Sequence, residues 1–152
     1  MNDPRDPVPA HEQQQKEEAD MAVWGPGHFE NDEAQDWAEG LTQAGDETAL
    51  KLVLEVVTRE RELASTECAI AIAAAEIVAG LKGQPSDSLP ESVRHWLARH
   101  AKPVSDEIVR LARHAVNRVR YESGLRDLWS EVDDFDRWES GLSGLLARLE
   151  RI

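Results

Sequence analysis

Thr66-Glu67-Cys68-Ala69-Ile70-Ala71-Ile72-Ala73-Ala74-Ala75-Glu76-Ile77-Val78-Ala79-Gly80-Leu81 decides the fold. The stretch has the length of a helix, and alanine dominates its middle. It is apolar on nearly every face, with Ala69, Ile70, Ile72, Ala73, Ile77 and Val78 distributed around the axis. A helix without a polar face must be surrounded by other elements, so it belongs at the centre of a bundle. Gly80 or Gly83 is placed to end it. Glu76 is the one charge between Cys68 and Leu81.

Upstream, the spacing predicts a helix over Glu47 to Arg61, with the stripe Leu50, Leu54 and Val57 widened by Val53. Before it, Asn31 or Asp32 caps a first helix that runs to about Thr42 and buries Ala34, Trp37, Ala38 and Leu41. Asp32, Glu33 and Asp36 suit its first turns, where the backbone dipole favours negative charge. Downstream, Ser88-Leu89-Pro90-Glu91 reads as a capping box opening a short helix with Val93, Trp96 and Leu97 inside. Pro103 separates this from a fifth helix carrying the cleanest stripe in the chain. Ile108, Leu111, Ala112, Ala115, Val116 and Val119 fall at i, i+3, i+4, i+7, i+8 and i+11. A short helix with Leu125, Leu128, Trp129 and Val132 follows Gly124, and a last one from Phe135 to Leu149 buries Trp138, Leu142, Leu145, Leu146 and Leu149. Gly141 and Gly144 each cost that helix about 1 kcal/mol against alanine, which predicts close packing at both. No segment has the bounded β-branched alternation of a strand. The expected fold is all-α: a single compact bundle of five to seven helices.

Residues 1–20 contain three prolines, a glutamine run and almost nothing to bury, so they are expected to form a disordered acidic leader before a helical domain at 21–152. Met21 is a candidate natural start. The leader has no secretory pattern, and the longest apolar run, Cys68 to Ala75, is too short to span a bilayer. A cytoplasmic protein without a membrane partner is expected. Cys68 is the single cysteine, which excludes an intramolecular disulfide and a cysteine-based metal site.

Net charge is −13, which disfavours nucleic acid as a partner because phosphate binding needs a basic surface. The charge is also unevenly spread. Residues 12–48 hold eleven acids against Lys16 alone, whereas residues 90–121 hold seven basic residues against three acids. Such blocks can simply solvate two sides of one domain, or an acidic face can steer a basic protein partner.

Four groups of residues could carry chemistry. His28, Glu30, Asp32, Glu33 and Asp36 could hold a divalent metal, with Glu76 joining in a metal-binding or hydrolytic site. No recognised ligand spacing supports this, and an acidic helix start explains the same residues. Glu76 is either a buried polar site or half of an ion pair with an arginine of the fifth helix, Arg110, Arg113 or Arg118. His95, His100 and His114 read as a solvated face. The aromatics Trp24, Phe29 and Trp37 either cradle a ligand or seal one end of the bundle. No catalytic motif, metal site or cofactor site is read from the chain.

The segment Trp24-Gly25-Pro26-Gly27-His28-Phe29-Glu30-Asn31-Asp32-Glu33-Ala34-Gln35-Asp36-Trp37 resembles the opening of a bacterial family catalogued as domain of unknown function 4259. The matching positions are Trp24, Gly25, Gly27, Phe29, Asn31, Asp32, Ala34 and Asp36. The alanine-rich stretch 73–79, the Leu89-Pro90 to Trp96-Leu97 segment and the closing Leu128-Trp129 also fit, so the resemblance covers about residues 21–150. The leader departs from the pattern. The family implies no activity, but it points to the Trp24–Asp36 segment as the seat of any shared role. The expected function is therefore a non-catalytic interaction module, of the kind a small inhibitor or toxin-neutralising protein offers. It would use the acidic N-terminal face and a binding set of Trp24, Gly25, Gly27, Phe29, Asn31, Asp32, Asp36 and Trp37.

Overall fold

The computed structural model describes residues 27–100 and 104–152. The leader, the start at Met21, and Trp24 and Gly25 of the expected binding set lie outside them. Seven helices are found among the described residues and no strand: α1 (Asp32–Ala44), α2 (Glu47–Arg59), α3 (Ser65–Leu81), α4 (Glu91–Arg99), α5 (Asp106–Tyr121), α6 (Gly124–Ser130) and α7 (Phe135–Glu150).

The central helix is α3. It packs against α1, α2, α4, α5, α6 and α7. From Cys68 to Ala79 only Ile70 is not fully buried. Small side chains explain how six neighbours fit around one helix: Ala71, Ala73, Ala74, Ala75 and Ala79 allow close approach, while Ile72, Ile77 and Val78 fill the remaining space. Each of those three larger side chains contributes about 1.5–3 kcal/mol by leaving water. At Gly80 an added Cβ would stand 2.7 Å from Leu97 Cδ1, so the absence of a side chain sets the approach of α4. The helix ends in a Schellman turn. Gly83 takes φ +82°, its N–H reaches Gly80 O at 3.1 Å, and Gln84 N–H reaches Ala79 O at 2.8 Å.

The amphipathic helices bury the predicted stripes. Leu50, Leu54 and Val57 of α2 are fully enclosed, as are Ala112, Ala115 and Val119 of α5. On α7, Trp138, Leu142, Leu145, Leu146 and Leu149 all face the core, and Trp138 stacks on Trp129 of α6.

Three local expectations are corrected. The serine of the expected capping box does not cap: α4 starts after Pro90, which has no side-chain cap bond, and Ser88 Oγ pairs with Ser86 Oγ at 3.0 Å. Pro90 lies in extended conformation (φ −56°, ψ 148°), which delays the helix until Glu91 and leaves Ser88 too far upstream. Val132 is exposed, since α6 stops at Ser130 and the stripe ends with it. Gly144 faces open space, so close packing accounts for Gly141 only.

Candidate functional site

The site begins with the charge inside α3. Glu76 is 2% exposed and sits one turn above the last turn of that helix. An unpaired carboxylate there would be costly, so its partners define the local structure. They come from two distant segments. Arg148, in the last turn of α7, grips the carboxylate with two parallel bonds, NH1 to Oε2 at 2.9 Å and NH2 to Oε1 at 2.7 Å. The guanidinium also donates to Gln84 O at 3.2 Å, just beyond the turn that ends α3. His28 Nδ1 meets Glu76 Oε1 at 2.6 Å.

Burial by itself would push the Glu76 pKa up. The hydrogen bonds from His28 and Arg148, together with their charges, outweigh it and hold the pKa below the ordinary value of 4.5. The carboxylate is therefore ionised and accepts only, so Nδ1 of His28 carries the shared hydrogen. The opposite ring nitrogen, Nε2, is buried and has no hydrogen-bond partner among the described residues. It lies against Gly141, where an added Cβ would come within 3.1 Å of it.

His28 belongs to a tight turn. Glu30 N–H bonds to Gly27 O at 3.1 Å, and Gly27 N–H bonds to Glu30 Oε1 at 2.9 Å. Two further anchors fix this turn: Phe29 is buried in the core, and Gln35 of α1 donates to Phe29 O at 3.0 Å. Next to it Asn31 caps α1, its Oδ1 accepting from Ala34 N at 2.8 Å. A cleft of about 250 Å³ opens between the turn, Ser86 and Ser88, and the Arg137–Gly141–Arg148 stripe of α7.

The expected site residues thus separate by role. Phe29 packs, Asn31 caps, and Trp37 lies half-buried against the core. Gly27 shapes the turn and lines the cleft. Asp32 and Asp36 are exposed on α1. They do not gather with His28 and Glu76: among the described residues no three His, Cys, Asp or Glu side chains stand close enough to hold a metal ion.

Glu76 does have an arginine partner, but it comes from α7 and not from the fifth helix. Arg118 of that helix is engaged elsewhere, donating to Val57 O and Glu60 O at 2.9 and 2.7 Å and so covering the end of α2. Arg120 faces Glu139 at 3.7 Å. Arg118 and Arg120 are thus engaged within the bundle and half-buried, while Arg110 stays exposed on α5. The histidines are dispersed too: His95 is on the surface near Glu91, and His100 stacks on Trp96 with centroids 4.5 Å apart.

Sequence reasoning brought His28 and Glu76 together only as candidate metal ligands, and did not pair Arg148 with Glu76. The available signal was the spacing Arg137, Gly141, Gly144, Arg148, at i, i+4, i+7 and i+11, which runs beside the buried stripe of α7. Of that row Gly141 marks the close approach, to the His28 ring, and Arg148 is the cation that reaches the charge on α3.

Among the described residues no helix is long and apolar enough to cross a membrane. No curated protein and no solved structure matches the chain. The chain does match the model of a catalogued family. Its model, described as a domain of unknown function (DUF4259), matches residues 22–141, and the chain belongs to that family.

Proposed function

We propose that this protein is a non-catalytic interaction module that presents an acidic helical face to a basic protein. One observation carries the reading. Asp32, Asp36 and Glu39 lie at i, i+4 and i+7 on the exposed side of α1, and none forms an ion pair among the described residues. The helix dipole favours Asp32 in the first turn, but like charges at that spacing repel each other along a helix, and Glu39 lies too far along α1 to gain from the dipole, so helix stability does not account for the whole row. Unneutralised rim charge of one sign instead speeds encounter with a partner of the other sign. The overall charge of −13 adds to the same field.

The buried polar cluster supports a structural role for Glu76 beside this surface. Its carboxylate is fully engaged by Arg148 and His28, which ties the 27–30 turn to the bundle and so fixes where α1 begins.

Affinity capture by the full chain from its native lysate tests the proposal, run beside Asp36→Lys/Glu39→Lys. Both positions lie beyond the first turn of α1, so the reversal spares the cap. A stoichiometric basic partner whose affinity falls about tenfold or more in the variant, mainly through slower association, supports the reading. A partner held equally by both proteins, or none captured by either, overturns it.

A further inference from the structure

The acidic face and the buried Glu76 cluster leave one part of the molecule without a role. Ser86 borders a second cleft, a cavity of about 520 Å³ between the end of α3, the 85–89 loop and α4. Much of its lining is apolar, made by Gly80, Leu89, Leu97 and Ala98. Two charges of opposite sign line the same space, Asp87 on the loop and Arg94 on α4. Among the described residues neither forms an ion pair, with the other or with a third side chain.

Both charges sit on fixed supports. Arg94 is tethered at one point: its Nε donates to Leu89 O at 3.2 Å, and Leu89 itself is buried in the core. That bond leaves the two terminal nitrogens of the guanidinium without a hydrogen-bond partner among the described residues. On the loop, Ser88 N–H donates to Ser86 Oγ at 3.2 Å and the two hydroxyls meet at 3.0 Å, which braces the turn carrying Asp87. A solvated charge needs no partner. The bundle does not need a tethered guanidinium and a carboxylate on a braced turn around one apolar cavity.

A molecule suited to this cleft carries an anion, a cation and an apolar body. The apolar body supplies the driving force, and the two charges set its orientation. The volume lies within the range of about 300–1,000 Å³ that small-molecule sites occupy. A guanidinium with two open donors matches a carboxylate, which it can hold by parallel bonds.

We propose that the cleft binds a free α-amino acid with a large apolar side chain. Its carboxylate meets the terminal nitrogens of Arg94, its ammonium meets Asp87, and its side chain covers Leu97 and Ala98. The inference stands apart from the acidic face of α1.

The test is a calorimetric titration of the full chain with phenylalanine, with the Leu97 methyl resonances followed in parallel. Three comparison compounds each lack one feature: 3-phenylpropionate the ammonium, 2-phenylethylamine the carboxylate, and glycine the apolar body. The expected result is saturable binding at about 1 mM or tighter with a shift of the Leu97 methyls, and binding at least about tenfold weaker for each comparison compound. Arg94→Gln should weaken phenylalanine about tenfold and bring it level with 2-phenylethylamine. Asp87→Asn should bring it level with 3-phenylpropionate. Both positions are exposed, so the core is left alone. Ser92→Ala, exposed on the same helix and outside the cleft lining, should change nothing. No saturation up to about 10 mM, a comparison compound bound as well as phenylalanine, or binding that Arg94→Gln and Asp87→Asn leave unchanged each overturns the proposal.

Discussion

Arg148 and Glu76 stand 72 residues apart in sequence and meet in a two-pronged ion pair, with the carboxylate only 2% exposed. The pair is asymmetric. Arg148 keeps 19% of its side chain at the surface, so only one of the two charges is taken far from water. Removing the arginine would strand the buried one.

Arg148→Met is therefore expected to destabilise the protein by about 3 kcal/mol, because the carboxylate left in the core keeps only His28 as a partner. Glu76→Leu/Arg148→Met removes both charges and should recover part of that loss, the remainder coming from His28 Nδ1 left without its acceptor. Urea denaturation of the three proteins checks this, and a double variant as unstable as the single one would contradict it.

The same carboxylate sets an acid limit. Its folded pKa lies below the unfolded value of 4.5, so its contribution is full above 4.5 and is lost as the pH falls through the lower folded value. Stability of the natural protein should thus drop steeply below pH 4.5. In Glu76→Gln that drop should be shallower, although the variant starts less stable at neutral pH. Unfolding curves at half-unit intervals of pH give the two slopes.

Cys68 should be chemically silent in the folded state. It is fully buried, and burial pushes its thiol up to about 11, with hydrogen bonds to Ser123 and Leu125 opposing only in part. At neutral pH a disulfide reagent is expected to react at the rate at which the bundle opens, and rapidly in urea. In alkali the sign is opposite to that for Glu76: stability begins to fall above the unfolded thiol value of 9.0 and keeps falling toward 11. Cys68→Ser tests whether that alkaline loss belongs to the thiol.

Two glycines should respond in opposite directions. A Cβ at Gly144 meets nothing, so Gly144→Ala should gain about 0.5–1 kcal/mol from helix propensity. A Cβ at Gly124 would stand 2.9 Å from Leu63 O, the same carbonyl its N–H bonds. Gly124→Ala should cost about 1–3 kcal/mol because backbone has to move. Thermal melts separate the pair.

The helices were legible because their stripes repeat locally. Leu50, Leu54 and Val57, or Ile108 through Val119, declare a buried face without reference to any other segment. The central position of α3 was legible for the converse reason, that it shows no polar face. Which arginine answers Glu76 was not. That depends on how α7 crosses α3, and periodicity within a helix says nothing about its neighbour's crossing. The aromatics of the N-terminal motif left two roles open for a similar reason. Phe29 beside glycines reads as a contact or a plug, and its burial in the core depends on where the turn lies over the bundle. His28 was visible as a chemical group, but its partner lies 48 residues away and gave no local trace.

The reach of the Glu76 contacts also bears on the order in which the molecule assembles. Helices α3, α5 and α6 can associate through short chain closures, but the cation that neutralises α3 lies on α7 and is synthesised after all of them. A growing chain that has emerged only as far as α6 carries a carboxylate destined for the interior and no guanidinium to meet it. That charge keeps one flank of α3 hydrated until α7 arrives. Completion of the core is in this way coupled to the arrival of α7, and a chain cut before the last turn of that helix forfeits the closure along with the arginine.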